Sequence, residues 1–343
     1  MIKVAINGFG RIGRSFFRAA HGMSEFDIVA VNDLTDTKTL AYLLKYDSVY
    51  GKYAKEVSSD AKHIIVEGEK IKIFIEQDPV KLPWKELGVD VVIESTGLFA
   101  SGDKAKAHLD AGAKRVVITA PASGVPTLLV GVNDEGFSAL GGPASGGKNP
   151  GPITCNASCT TNSVAPVMQI LLENFGIEKA SMVTVHGYTA TQKLVDGPDA
   201  KDMRRGRAAA VNIVPSTTGA AEAVIQSIPA LKGKFDAVAM RVPTITGSIS
   251  AMTVLLKRTV TKEEVNNAFK NAAGEERLAK VLKVTEDPIV STDIIGEPYG
   301  AIVDLSLTKV VDGNLVEVFS WYDNEAGYTA TLVEHVRRVT GKL

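Results

Sequence analysis

The stretch "IKVAINGFGRIGR", residues 2–14, decides the first half of the fold. An apolar run of strand length, 2–6, leads straight into Gly8-x-Gly10-x-x-Gly13, and a helical pattern occupies 11–22. Strand, glycine turn and helix in that order make a cradle for a pyrophosphate. Gly8 permits the tight turn, Gly10 lets the backbone approach the phosphates, and Gly13 lets helix and strand pack closely. The helix N-terminus then stabilises the negative charge. A second apolar strand, "DIVAVND" (27–33), closes on Asp33, twenty residues past Gly13, where an acid holds the ribose hydroxyls of a dinucleotide. Asp33 repels a 2′-phosphate and Leu34 beside it offers no donor, which favours NAD over NADP.

Outward from this stretch the alternation continues. Helical spacing occupies 37–46, apolar strands are expected at 89–96, 115–119 and 127–132, and "DKAKAHLDAGA" reads as a helix ending near Gly112. Strands alternating with helices argue a parallel sheet covered on both faces. The segment 134–152, containing "GGPASGGKNPGP", has almost nothing to bury and reads as a surface loop or linker. Beyond it the texture changes: one helix at 160–175, then longer strands at 179–187, 236–243, 247–258, 302–311 and 314–322, with a hairpin signal at Asp312-Gly313 and a last helix at 325–340. The expected fold is α/β: a Rossmann-type doubly wound parallel sheet (residues 1–156), plus an α+β catalytic domain with a mostly antiparallel sheet (157–324).

Composition narrows the function. The chain has 343 residues, 45% of them hydrophobic, and a formal net charge of −1. That balance carries no electrostatic footprint for nucleic acid or an acidic membrane. The opening lacks a basic segment followed by a long apolar core, and no apolar run approaches membrane-spanning length. Two cysteines exclude a disulfide scaffold and fit a reducing compartment, so a cytoplasmic protein is expected.

Both cysteines lie in "CNASCTTNS" (155–163). A disulfide between them would close a very small loop, and a metal site needs more soft ligands than two cysteines and five scattered histidines readily give. Ser158 to Asn162 is a cluster of cap-forming residues before the apolar run Val164, Val167, Met168 and Leu171. Cys159 therefore stands at a helix start, where dipole and free N–H groups favour a thiolate and can hold an oxyanion. Cys155 reads as a small buried hydrophobe. His186, ending the strand "ASMVTV", is the candidate base, although spacing alone leaves that pairing open. His21, His63, His108 and His335 read as surface residues, and Arg204, Arg205 and Arg207 as either a solvated charge run or an anion site.

"NASCTTN", "NGFGRIGR", "ESTG", "RAAAVNIVPSTTGAAEAV", "MRVPT" and "SWYDNEAGY" together, in order along nearly the whole chain, resemble the phosphorylating glyceraldehyde-3-phosphate dehydrogenases. The resemblance implies a cytoplasmic homotetramer acting on glyceraldehyde 3-phosphate, NAD and inorganic phosphate, with no specific nucleic-acid partner and no membrane. Erythrose-4-phosphate dehydrogenase, or a relative that has lost catalysis, are the alternatives. In the family's mechanism Cys159 attacks the aldehyde, His186 takes the proton, and hydride loss leaves a thioester that phosphate cleaves. The resemblance assigns Thr189, Arg204 and Arg241 to the substrate phosphate, and Ser158, Thr160, Thr218 and Gly219 to inorganic phosphate. To the cofactor it assigns Asn7, Gly8, Gly10, Arg11, Ile12, Gly13, Asp33, Gln77, Ser95, Thr96, Gly97, Thr119 and Asn324, and it implies that the helix over 325–343 packs back on the first domain. The chain departs from the family pattern in the longer Gly/Pro loop, in Cys155 for a serine, in Gln77 for a basic residue, in Ala326 for an aromatic and at Gly197-Pro198.

Overall fold

The computed structural model describes residues 1–134, 151–200 and 202–341, so the expected Gly/Pro loop lies, but for its ends, outside the described residues. The chain divides into two compact units. The first comprises Met1–Leu128, Asp134–Ala157 and Leu332–Leu343; the second comprises Leu129–Asn133 and Ser158–Thr331.

The first unit contains β1 (Ile2–Asn7), α1 (Arg11–Ala20), β2 (Phe26–Asn32), α2 (Thr37–Lys45), β3 (Val57–Ser59), β4 (His63–Val66) and β5 (Glu69–Phe74). It continues with α3 (Trp84–Leu87), β6 (Val91–Glu94), α4 (Gly102–Asp110), β7 (Arg115–Ile118) and β8 (Ile153–Cys155). Its sheet runs β3-β4-β5-β2-β1-β6-β7-β8, parallel from β5 to β8. β1 is apolar along most of its length because it is an inner strand, with Val4, Ala5 and Ile6 wholly buried.

Three expectations are corrected here. Residues 127–132 form no strand; Thr127 makes a single bridge to Cys155, and the last sheet strand is β8. The run is interrupted at Gly131, which adopts φ 77. The β3–β5 meander was not read from the sequence because its tight turn is Glu67-Gly68, both at positive φ, rather than an Asn or Asp pair. His108 and His335 are wholly buried, and the His21 side chain is nearly so. His21 stacks on Phe17, and the other two are satisfied by buried polar partners described below.

The second unit opens with α5 (Cys159–Phe175) and β9 (Ile177–Gly187), then β10 (Val214–Ser216), α6 (Ala220–Ser227), β11 (Phe235–Val242) and β12 (Ser248–Leu256). It continues with α7 (Lys262–Ala273), β13 (Leu282–Thr285), β14 (Ala301–Asp304), β15 (Lys309–Val311) and β16 (Leu315–Tyr322). α8 (Ala326–Thr340) starts in this unit, and its residues from Leu332 belong to the first. The sheet order is β10-β11-β9-β12-β16-β14-β13, with β15 on β16. Only β11–β9 and β14–β13 are parallel, so the sheet is mostly antiparallel, as expected. The single strand anticipated over 302–311 is two, because Asp304 Oδ1 accepts from Ser306 N and Oγ and bends the chain. Asp312-Gly313 makes the predicted hairpin, both residues at positive φ. Burial alternates along β12 and β16; one face of the sheet packs under α5, and Val183 and Val185 lie half-exposed on the other.

His335 shows what fixes the last helix. Its Nδ1 donates to Asn156 Oδ1 at 3.0 Å, and Nε2 of the neutral ring accepts from Thr154 Oγ1 at 2.8 Å. Burial lowers its pKa from 6.5 to about 3. The unfolded chain therefore takes up this proton first as pH falls. The stability is complete above about pH 6.5 and is lost down towards pH 3, at no more than about 1.4 kcal/mol per pH unit. In a His335→Gln variant the melting temperature should fall less steeply between those pH values than in the wild type; parallel slopes would refute the assignment.

Candidate active site

Cys159 is the first residue of α5, a helix of 17 residues. Ser158 caps it, its Oγ accepting from Thr161 N at 3.1 Å. Just before the cap, Ala157 holds φ 52 while wholly buried, a left-handed conformation that costs about 1 kcal/mol or more for a residue with a Cβ. The Cys159 side chain stays partly exposed, and its Sγ lies 3.3 Å from His186 Nε2.

Strand register assembles the rest. Parallel pairing of β9 with β11 sets His186 directly beside Arg241. β12 lies on the other side of β9, and its Ser248 is paired with Tyr322 of β16. The Tyr322 ring meets the imidazole edge-on at 5.7 Å, and its hydroxyl bonds Thr160 Oγ1 (3.0 Å) and Thr184 Oγ1 (2.7 Å). His186 Nδ1 lies 2.6 Å from Gly187 O and 2.5 Å from Arg241 Nη1. Burial first, and Arg241 second, lower the His186 pKa to about 3, so the resting ring is neutral. Burial pushes the Cys159 thiol up, opposed by the Arg241 charge and by the N–H of Thr160. Burial of Tyr322 pushes its phenol up to about 12, so it serves as a neutral hydrogen-bonding group.

The structure thus brings together Cys159, His186, Arg241 and Thr160 of the predicted set. Ser158 Oγ is engaged as the cap and with Thr161 Oγ1 at 2.7 Å. Thr189 stands just past β9, half-buried, its hydroxyl 3.0 Å from Thr191 Oγ1. Thr218 accepts from Ala220 N at 3.1 Å, and exposed Gly219 precedes the first turn of α6, which packs on α5. Arg204 is placed differently from expectation. It is exposed and forks onto Asp202, with Nε and Nη2 at 3.1 and 3.0 Å. Burial lowers the Arg241 pKa, and the charge of the neighbouring Arg205 adds to that lowering. A run of arginines does not reveal in sequence which member turns inward. Tyr322 was likewise missed, although "SWYDN" contains it. Asn324 is buried with its Oδ1 accepting from Thr246 Oγ1, Gly247 N and Ser248 Oγ at 3.1–3.2 Å, which turns its amide donors the opposite way.

In the first unit a cleft of about 460 Å³ is lined by Asn7, Gly8, Gly10, Asp33, Gln77, Ser95 and Thr96, with Leu34, Glu76 and Leu98. A dinucleotide fits the backbone cradle: a Cβ on Gly8 would stand 2.7 Å from Thr96 N, and one on Gly13 would stand 2.2 Å from Gly8 O. Ser95 Oγ ties the turn to β6 by donating to Gly8 O at 2.6 Å. Asp33 accepts from Phe9 N at 2.7 Å and from Thr35 N at 3.0 Å, so it holds the glycine turn as well as facing the cleft. Arg11 and Ile12 occupy the first turn of α1, and Arg11 pairs with Asp47 over Tyr50. Gly97 adopts φ 74, and Thr119, at the end of β7, donates its N–H to Glu94 O.

Beneath the cleft runs a buried chain of polar groups that sequence reading did not reveal. Trp84 Nε1 donates to His108 Nδ1 (3.1 Å), so His108 Nε2 carries the proton it gives to Glu94 Oε2 (2.9 Å). Glu94 also accepts from Asn7 Nδ2 and from Thr96 N, and Asn7 Oδ1 accepts from Asn32 Nδ2. The partners come from β1, β2, β6, α3 and α4, far apart in sequence, which is why no local motif signals them.

Two family models match the chain. One describes the glyceraldehyde 3-phosphate dehydrogenase NAD binding domain and covers residues 2–102; the other describes the C-terminal domain of the same enzymes and covers 158–324. Among similar proteins is a glyceraldehyde-3-phosphate dehydrogenase of Thermotoga maritima, 52% identical over 337 residues, covering 97% of this chain and 98% of the relative. One from Mycobacterium avium is 50% identical over 98% of each chain, and one from Bacillus cereus is 47% identical over 100% and 99%.

The two thiols differ in environment. Cys155 is wholly buried in the apolar core with its Sγ 3.3 Å from Thr127 Oγ1, whereas Cys159 opens onto the site. Iodoacetamide should label one thiol per native chain, at Cys159, and a second only after denaturation; native labelling at Cys155 would contradict this geometry.

Proposed function

The chain belongs to the glyceraldehyde-3-phosphate dehydrogenase family, an NAD-dependent oxidoreductase acting on the aldehyde of glyceraldehyde 3-phosphate, and we propose that Cys159 is its nucleophile and His186 its base. The observation that carries this is the 3.3 Å contact between Cys159 Sγ and His186 Nε2 at a capped helix start. In the proposed sequence, Cys159 attacks the aldehyde carbon while its proton passes to His186 Nε2. The N–H groups of the first α5 turn face the oxyanion, and His186 returns its proton there or takes the hydroxyl proton as hydride leaves the carbon. NAD supplies the hydride acceptor. The resulting acyl–Cys159 thioester is cleaved by inorganic phosphate, giving the acyl phosphate and restoring the thiol.

Two anions then need places. Thr189 and Arg241 suit the substrate phosphate, and Ser158, Thr160, Thr218 and Gly219 the attacking one, through hydroxyls and N–H groups at two helix starts. Arg205, not Arg204, supplies the extra cation, since Arg204 is already neutralised by Asp202. In the first unit Leu34 and Leu98 present apolar surface to an adenine ring, and Asp33 accepts from ribose hydroxyls.

Self-association as a homotetramer is supported by apolar side chains left in water: Leu194, Val195, Met203, Val211 and Ile213 in one segment, and Val183 and Val185 on the open sheet face. Two free thiols support a reducing, cytoplasmic setting.

Formation of NADH from glyceraldehyde 3-phosphate should depend on inorganic phosphate, and Arg205→Ala should lower kcat/KM for glyceraldehyde 3-phosphate about 10- to 100-fold, the loss of one charge-assisted hydrogen bond, while Arg204→Ala changes it less than about 3-fold. Equal losses would return the role to Arg204. Among the described residues, no Lys or Arg lines the cleft beside Asp33. The double variant Asp33→Ser, Gln77→Arg should therefore raise the NADP/NAD ratio of kcat/KM by about 10-fold or more; an unchanged ratio would show that 2′-phosphate exclusion lies elsewhere.

A further inference from the structure

The buried polar chain beneath the cleft of the first unit has a direction, and Trp84 sets it. The indole carries a donor and no acceptor, so His108 Nδ1, 3.1 Å from Trp84 Nε1, is bare and the ring proton sits on Nε2. His108 Nε2 faces Glu94 Oε2 at 2.9 Å and Asn7 Nδ2 at 3.3 Å. Asn7 Nδ2 is itself a donor, so both nitrogens turn their hydrogens to Glu94 Oε2, which lies 2.6 Å from Asn7 Nδ2. The Asn7 amide then has Oδ1 to offer Asn32 Nδ2, at 2.7 Å. Asn32 in turn grips the main chain of Glu76 twice: Nδ2 donates to Glu76 O at 2.9 Å, and Oδ1 accepts from Glu76 N at 3.0 Å. In the opposite His108 tautomer a bare Nε2 would draw Asn7 Nδ2 away from Glu94, and the relay to Asn32 would lose its orientation.

Both ends of this chain are walls of the cleft. Glu76 and Gln77 line it beyond the end of β5, whose last pairing with β2 is Asn32 with Phe74. Ile75 between them is exposed and gives that wall no apolar anchor, so the Asn32 side chain supplies the missing rung. On the other wall Glu94 Oε1 accepts from Thr96 N at 2.9 Å and from Thr96 Oγ1 at 2.5 Å, and Thr96 Oγ1 accepts from Leu98 N at 3.0 Å. Glu94 thus holds one wall through Oε1 and the other through Oε2 and Asn7. Trp84 and His108 are wholly buried behind them.

We propose that His108, its proton placed by Trp84, is a positioning residue for the cofactor: through Glu94 and Asn7 it sets the spacing of the 76–77 and 96–98 walls that receive the adenosine half of NAD. This rests on the reading of the cleft as the adenosine site. Two wholly buried side chains thereby govern cofactor affinity. No step of the reaction passes through them, so their effect falls on binding and not on the turnover of bound cofactor.

The test measures binding of NAD and of ADP-ribose to the full chain by calorimetry, beside kcat, KM and the melting temperature. ADP-ribose lacks the nicotinamide and so reports the adenosine end. His108→Leu removes both hydrogen bonds of the ring; both ligands should bind about 10-fold weaker or more, with kcat at saturating NAD changed less than about 2-fold. His108→Gln keeps an acceptor for Trp84 and a donor for Glu94, and should bring affinity back to within about 3-fold of wild type. Trp84→Phe keeps an aromatic ring but deletes the indole N–H, and should weaken both ligands about 3-fold or more, which decides the matter even where His108→Leu does not fold. Wild-type affinity in folded His108→Leu or Trp84→Phe, with only the melting temperature lowered, overturns the proposal and leaves the chain a purely structural one. Equal weakening by Leu and Gln at position 108 also overturns it, because hydrogen bonding is then not the cause. Asp33→Ala tests the underlying reading separately: unchanged NAD affinity in that variant refutes the adenosine site itself.

Discussion

The register between β9 and β11 is the constraint on which the catalytic unit depends. It is a parallel pairing inside a sheet that is otherwise mostly antiparallel, and it places His186 beside Arg241 in adjacent strands. A one-residue slip would turn His186 to the opposite face of the sheet and away from Cys159. The thiol's own position is set independently, by the Ser158 cap that fixes where α5 begins. The 3.3 Å contact exists because a helix start and a strand end, each defined by its own backbone hydrogen bonds, meet at one point. Left-handed Ala157, immediately before the cap, marks where the backbone is strained to allow this.

The first unit solves a different problem. Its cleft must expose backbone N–H groups to phosphate while the strand ends beneath stay rigid. The Trp84–His108–Glu94–Asn7–Asn32 chain achieves this by linking β1, β2 and β6 through buried hydrogen bonds. A buried carboxylate is tolerable there because Asn7, Thr96 and His108 all donate to it. Such a network is costly if any member is lost, which makes it a source of definition more than of net stability.

Much of this was legible in advance. The glycine turn, Asp33 and the alternation of strands and helices needed no tertiary information, because each rests on local backbone demands or on a fixed spacing. The helix start at Cys159 was legible from cap-forming residues, and the last helix from its apolar stripe, whose Leu332, Val333, Val336 and Val339 are buried. The misses share a cause. Residues 127–132 have strand composition, but the division into two units falls within them, and only Thr127 pairs with the sheet edge, by a single bridge to Cys155. His108 and His335 sit in polar-looking helices, yet each finds its partners on strands distant in sequence.

By itself the sequence determined most of the element types, the family and the cofactor, because propensity, spacing and motif are properties of the chain as written. Only tertiary structure decided that Arg204 is held by Asp202, that Tyr322 braces the imidazole, and that His186 Nδ1 faces a donor and an acceptor together. Those outcomes depend on register between strands and on a few tenths of an ångström between polar atoms, and neither is encoded in any local stretch of residues.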